Sequence, residues 1–279
     1  MGMDFWVDPD KCVHCGRCVM DCNPRALELD AVTRLPRWAE NGEARCFRCQ
    51  HCLAICPVGA VSIMGAAAVD SEEKRPVPDA AELLNLIRCR RSFRSYRNED
   101  LDRDVLEKLK AMLAYTPTGV NDHRLFFSFI DDAAVMAGFR REFLGRLLAL
   151  VEAEAPGAER FARYRKRLLD GDDVVFRGAP HMVLACTPAS APCADVDPVI
   201  ALSYFELYAQ SLGVGTLWCG LFKWALTLMP EFLERFGLPE GYIPGYAMMF
   251  GPSGLRYPRS TQPPRALTFS VGASDVDRA

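Results

Sequence analysis

Eight of the twelve cysteines fall in two short runs with the spacing of a metal-binding device. Residues 12–22 read C-V-H-C-G-R-C-V-M-D-C, and residues 46–57 read C-F-R-C-Q-H-C-L-A-I-C-P. Superposed, Cys12, Cys15, Cys18 and Cys22 fall on Cys46, Cys49, Cys52 and Cys56. The match runs on, with Ala26, Leu27 and Leu29 over Ala60, Val61 and Ile63. This is an internal repeat. Three thiolates spaced two residues apart can wrap one iron–sulfur cube, and the fourth of such a run is handed to the other cube. The expected sets are therefore Cys12, Cys15, Cys18 with Cys56, and Cys46, Cys49, Cys52 with Cys22. Asn23 separates Cys22 from Pro24 where Pro57 follows Cys56 directly, which is read as a small change of turn. A zinc scaffold is the alternative, although such knuckles pair two short cysteine pairs rather than two runs of four.

A second group of residues suits anion binding. R-C-R-R-S-F-R-S-Y (88–96) places four arginines, two serines and two aromatic rings in one short segment. A guanidinium fork matches phosphate oxygens two at a time, and a serine hydroxyl adds a short donor. A solvated basic patch is the competing reading. T-P-T-G-V-N-D-H-R (116–124) follows a helical pattern and opens a strand, the reverse of the order a phosphate-binding loop needs. Asn121 is therefore read as an amide presented from a loop, able both to donate and to accept. G-V-G-T-L-W-C-G (213–220) reads as a glycine-punctuated turn, with Trp218 where a dinucleotide fingerprint needs its third glycine. Cys186 and Cys219 read as small core side chains.

These groups need scaffolding of two kinds. A chain of 279 residues fits a small metal domain plus one domain of roughly 200 residues. The boundaries expected are 1–68 for the first, 69–79 for a charged, proline-broken linker, and 80–279 for the second. Ala66–Ala68 reads as a short helix. Asp79 caps a helix carrying Leu83, Leu84, Leu86 and Ile87. Amphipathic spacing predicts a second helix over 101–114, and strands are expected at 125–130, 181–186 and 246–250. Asp197-Pro198 reads as N-cap and first residue of a helix that is apolar on most of its circumference and must be covered on nearly every side. After Gly251, four prolines with Arg256, Arg259 and Arg265 predict an extended arm able to cross onto a neighbouring subunit.

The net charge is −3 and the sequence pI about 5.9, so no nucleic-acid partner is expected. Apolar runs fall short of the roughly 18 residues of a membrane span. With no basic segment ahead of an apolar stretch at the N-terminus, a soluble cytoplasmic protein is expected.

The cysteine runs resemble two-cluster bacterial ferredoxins over about residues 3–65, which implies two [4Fe–4S] clusters and electron transfer. Residues 80–265 resemble the nitroreductase family of FMN enzymes, whose motifs R-R-S-F-R (90–94), P-T-G-V-N (117–121), the run 197–220 and G-P-S-G-L-R-Y-P-R (251–259) come in order. The resemblance implies an α+β domain, an antiparallel-type sheet wrapped by helices, dimeric and holding FMN at the subunit interface. It places Arg90, Arg91, Ser92 and Arg94 at the FMN phosphate and ring edge. Asn121 would approach the flavin from the other subunit, and Pro117, Thr118 and Gly119 of the same motif would also bind the cofactor. The N–H groups of Trp218, Cys219 and Gly220 would face N5 and O4, and Arg256 or Arg259 would complete the phosphate site. Two departures stand out. Cys219 occupies a position that is acidic in many members, and Asp122-His123-Arg124 replaces a Gln-Pro-Trp type of continuation. His123 becomes a candidate donor to substrate.

The expectation is an iron–sulfur flavoprotein oxidoreductase, charged by an external low-potential donor and reducing an electrophilic small molecule such as a nitro compound, a quinone or an activated alkene. The alternatives are an NAD(P)H-dependent flavin reductase and an electron-transfer module with no substrate of its own.

Overall fold

The structure, a computed structural model, describes residues 3–272. The tips of the expected segments, residues 1–2 and 273–279, lie outside the described residues. The N-terminal part contains β1 (Phe5–Val7), α1 (Arg17–Met20), β2 (Leu27–Leu29), β3 (Pro36–Trp38), α2 (Gly42–Arg45), α3 (His51–Ala54), β4 (Val61–Ile63) and β5 (Ala66–Ala67). β1, β4 and β5 form one small antiparallel sheet, and β2 and β3 form a hairpin. The hairpin turn is held by Asp30, whose Oδ1 accepts from the N–H groups of Val32 and Thr33 and from the Thr33 hydroxyl.

The sequence repeat is also a repeat of backbone conformation. Positive φ occurs at His14, Gly16 and Arg25, and again at Arg48, Gln50 and Gly59, thirty-four positions later in each case. Ala26 N donates to Cys22 Sγ at 3.3 Å, and Ala60 N donates to Cys56 Sγ at 3.2 Å. The turn containing Asn23 thus closes on its cysteine as the Pro57 turn does. Ala66 and Ala67, expected to be helical, instead pair with β4, and a single 3₁₀ turn follows at Ala68–Asp70. Two small side chains at a sheet edge satisfy their backbone groups there without needing a helix's apolar face.

The larger part begins with α4 (Ala80–Cys89) and α5 (Arg103–Ala111). Asp79 caps α4, accepting from Ala81 N at 2.8 Å. β6 (Phe126–Ile130), α6 (Ala133–Glu152), the short α7 (Glu159–Ala162) and α8 (Arg165–Leu169), β7 (His181–Pro188), α9 (Asp197–Ser211), β8 (Val214–Trp218), α10 (Gly220–Leu226) and β9 (Tyr242–Pro252) complete it. The strands form one antiparallel sheet in the order β6-β7-β9-β8. Segment 213–220, read as a turn, mostly forms β8. Gly215 is flat strand on which the Phe93 ring lies, with 2.8 Å between that ring and where a Cβ would stand.

Side chains alternate across the sheet with period two. Met182, Leu184, Cys186, Ala247 and Met249 join a core with α6 and α10, where Phe139, Phe143, Phe176 and Phe222 stack. Val183, Ala185, Met248 and Phe250 join the other core, with Leu106 and Leu109 of α5 and Leu202 and Phe205 of α9. A sheet buried on both faces needs apolar residues at successive positions, which is why these strands read as continuous apolar runs.

His181 begins β7 and is fully buried. Leu101 N donates to its Nε2 at 3.1 Å, so Nδ1 carries the ring hydrogen, and Nδ1 is buried without a partner. Burial lowers its pKa below the usual 6.5, against the opposing pull of Asp100, Asp131 and Asp132. A base whose folded-state pKa is depressed binds its proton more readily in the unfolded chain. Stability is therefore expected to fall as pH drops below about 6.5. Urea unfolding at pH 7.5 and pH 5.5 should show that loss, and His181→Phe should flatten it.

Candidate cofactor sites

The chain brings the eight cysteines together in the crossed sets. One cavity is lined by Cys12, Cys15, Cys18 and Cys56, the other by Cys22, Cys46, Cys49 and Cys52. α1 and α3 place Cys18 and Cys52 in the small core, 7% and 9% exposed. Burial pushes these thiols up to about 11 and about 12, and the facing thiols of their own sets add to the shift. A thiol held protonated by burial becomes a thiolate only against cationic charge. Backbone N–H groups of Ala26, Arg48 and Ala60 already point at Cys22, Cys46 and Cys56. Four thiols around an apolar hollow, with amides aimed at sulfur, suit a cube. Among the described residues, no three His, Cys, Asp or Glu side chains converge on the point a single ion would need.

The arginine segment lies between α4 and β8. Ser92 bridges to Thr216 in parallel, and Phe93 N donates to Thr216 O at 2.8 Å. Two long polar residues of the mostly apolar α9 receive it. Glu206, 6% exposed, accepts from Arg90 Nη1 at 3.1 Å, from Trp218 Nε1 at 3.0 Å and from the Thr216 hydroxyl at 3.3 Å. Gln210 accepts from Arg91 N at 3.1 Å and donates to Arg91 O at 2.9 Å and to Thr216 Oγ1 at 2.7 Å. Arg91 Nη1 donates to the carbonyls of Arg88 and Arg90, while Arg91 Nη2 is buried without a partner. Arg94 Nη1 donates to Ser92 O at 3.3 Å. A cavity of about 170 Å3 opens here, lined by Cys89, Arg90, Phe93, Gln210 and Tyr257 among others. A buried cationic N–H with nothing to bond is the feature an anionic phosphate would complete.

Glu206 and Gln210 were missed in the sequence. Their signal was present: two long polar residues four apart on one face of an apolar helix, which burial tolerates only with partners.

The P-T-G-V-N loop sits at the other end of α9. Pro117 is exposed, and Thr118 Oγ1 accepts from His123 N at 2.9 Å. Gly119 N donates to both carboxylate oxygens of Asp197, at 3.0 and 3.2 Å. A Cβ at Gly119 would stand 2.4 Å from Cys193 Sγ. Asp197 was expected to cap α9, yet the helix begins at Asp197 itself and the cap position is Val196. The buried carboxylate is used on Gly119, seventy-eight residues earlier. Asn121 Nδ2 donates to Phe47 O at 3.1 Å, and Asn121 Oδ1 faces His123 Nε2 at 2.8 Å. One chain therefore holds the arginine segment and this loop at opposite ends of one helix.

The remaining expected residues are placed as follows. Cys219 N donates to Ala247 O in the sheet, so that N–H is not free to face a ring. Cys219 Sγ donates to Val175 O at 3.3 Å, and burial pushes the thiol up to about 12, which makes it a core residue. The Trp218 indole N–H donates to Glu206, and Gly220 leads into α10. Arg256 and Arg259 are exposed and make no ion pair among the described residues. Tyr257 between them stacks edge-on against Phe93, with centroids 5.3 Å apart.

Comparison with known proteins adds the following. Residues 87–252 match the Nitroreductase family, and residues 11–60 match the 4Fe-4S dicluster domain. A ferredoxin of Pyrobaculum islandicum is 36% identical over 74 residues, 25% of this chain and 61% of the ferredoxin's length. A nitroreductase from Desulfitobacterium hafniense crystallised with bound FMN superposes with TM-score 0.55 at 24% identity, covering 68% of this chain and 98% of that one. One from Bacteroides fragilis, also with bound FMN, gives TM-score 0.55 at 20% identity, covering 68% and 99%. At these identities the likeness is one of fold.

Proposed function

Because the chain belongs to the nitroreductase family and carries a 4Fe-4S dicluster segment ahead of the family's domain, we propose that it is an iron–sulfur flavoprotein oxidoreductase with two [4Fe–4S] clusters and one FMN per chain. Bound in these sites, the clusters would supply one-electron chemistry and FMN would exchange two electrons with a substrate. The observation that carries the reading is the crossed pair of four-cysteine cavities on a chain of this family.

The chain's own residues bind and orient. Arg90, which lines the cavity, and the unpartnered Arg91 Nη2, with Ser92 and Arg94, supply donors for the FMN phosphate. Glu206 holds Arg90 and the Trp218 indole in fixed positions, so that the donors are set before the ligand arrives. Loop 117–121 supplies the second wall of the flavin site from a partner chain, making a homodimer the working unit. The apolar surface left open supports that. Leu83, Leu84 and Ile87 of α4 are 43–49% exposed, Tyr204 of α9 is 50% exposed, and Leu267, Phe269 and Val271 of the C-terminal arm are more open still. The 260 Å3 cavity that His123 rims with Lys110, Thr116 and Thr118 would receive an electrophilic acceptor such as a nitro compound, a quinone or an activated alkene, with the His123 ring edge beside it. The electron donor is an external low-potential carrier. No helix among the described residues is long and apolar enough to cross a membrane, and the reading places the protein in the cytoplasm, where thiols stay reduced.

The test separates the two cofactor sites. Replacing Arg90 and Ser92 together by alanine is expected to strip FMN, at least tenfold in occupancy, and to leave iron and acid-labile sulfide unchanged. Two charge-assisted phosphate contacts are worth that much or more. Unchanged FMN retention would overturn the assignment of the phosphate site.

A further inference from the structure

We propose that loop 118–123 is a seat for the cysteine-rich domain, with Asn121 as the positioning residue that holds the second cysteine loop on it. This makes the two cysteine cavities inequivalent. The Cys22, Cys46, Cys49 and Cys52 cavity adjoins the larger domain, and the Cys12, Cys15, Cys18 and Cys56 cavity does not. The inference rests on the proposed function only for what the cavities hold.

Among the described residues, the Asn121–Phe47 bond is the one hydrogen bond or ion pair joining residues 3–75 to residues 80–255. It is not a chance surface contact, because both of its ends are constrained. Phe47 lies between Cys46 and Cys49 and lines the second cavity, so its carbonyl is fixed by the cysteine loop. On the other side, Asn121 Oδ1 can only accept, so the His123 Nε2 that faces it must carry a hydrogen. That contact fixes which way the amide points and aims Nδ2 at Phe47 O. The loop is pinned at its root by Gly119 N on the buried Asp197 carboxylate and is tied across by His123 N on Thr118 Oγ1.

The loop also carries backbone strain. Val120, Asn121 and His123 have φ of 48°, 57° and 46°. Asn tolerates that region, but a β-branched valine rarely adopts it, and such conformations persist where the surroundings over-determine them. The strain exposes Val120 and turns the Asn121 amide toward the neighbouring domain. In contrast, no hydrogen bond or ion pair among the described residues joins the lining of the first cavity to residues 80–255. The sequence repeat makes the two cysteine runs alike, and this contact is what distinguishes them.

Hydrogen–deuterium exchange on the full-length holoprotein tests the proposal without turnover. In Asn121→Ala, exchange across residues 46–52 is expected to rise about tenfold, the size of one lost part-buried hydrogen bond, with residues 12–18 unchanged. Asn121→Asp should raise it further, because a carboxylate would face a carbonyl. His123→Ala should loosen the same segment and His123→Gln, which keeps a donor for Asn121 Oδ1, should restore it. A general weakening of the fold would not show that rescue. Equal exchange in wild type and Asn121→Asp, or an equal rise in both cysteine runs, would overturn the proposal. FMN and iron are measured on the same samples. Absence of FMN would count against the proposed function while leaving the exchange comparison intact.

Discussion

Cys52→Ser is expected to leave residues 3–68 without a stable fold while residues 80–255 still melt cooperatively. The core of the N-terminal part holds only nine buried apolar residues, Val7, Cys18, Ala26, Leu27, Cys52, Leu53, Ala60, Val61 and Ile63, and two of them are thiols. A core this small does not offset the chain entropy of ordering some sixty residues, and domains of this size depend on a metal or a crosslink. In small metal-dependent domains the bound group contributes on the order of 10 kcal/mol, so its loss is not absorbed elsewhere. Serine supplies neither the thiolate nor the apolar contact. Crossed cavities carry the damage into both halves, because Cys22 and Cys56 each serve the opposite half's set. Iron and sulfide analysis with limited proteolysis should show depleted metal and cleavage throughout residues 3–68. Full iron content and an intact N-terminal fragment would contradict the cavity assignment.

The second large effect is expected at Glu206. Three donors converge on this buried carboxylate: Arg90 Nη1, Trp218 Nε1 and the Thr216 hydroxyl. Alanine would leave an indole N–H, a hydroxyl and a guanidinium without their acceptor. Breaking a buried pair costs about 3–5 kcal/mol. The Arg90 side chain is 36% exposed and regains some water, so about 2–3 kcal/mol is the expected loss. For a domain of this size that lowers Tm by roughly 5–10 °C. FMN affinity should fall with it, since Arg90 would no longer be held in place. Glu206→Gln keeps the volume and one acceptor, and should lie between the two. An alanine variant with wild-type Tm and wild-type FMN content would show that this carboxylate organises nothing.

Much of this was legible from residue types because the causes are local. Cysteine spacing reports ligand geometry, and the thirty-four-residue offset of the repeat recurs in the positive φ values. Asp79 caps α4 as its position implied. Strands 181–186 and 246–250 were visible because both faces of the sheet are buried. What was not legible depends on residues far apart in the chain. Asp197 looked like a cap because it precedes a proline, but its oxygens answer Gly119 instead. Gly215 looked like a turn because spacing cannot show that Phe93 lies on it. The amide of Asn121 was read for its donor and acceptor capacity, and no local pattern could have named the Phe47 carbonyl as its partner.

The fifteen residues of α9 have a further consequence. Asp197 anchors one group of motif residues at its start, and Glu206 and Gln210 anchor the other near its end. The helix is thus a ruler that sets both separation and phase between them. Inserting a single residue between positions 197 and 206 would shift one set by about 1.5 Å and rotate it by about 100° against the other. No loop could absorb that mismatch, so length variation in this protein belongs at the connections and not within this segment.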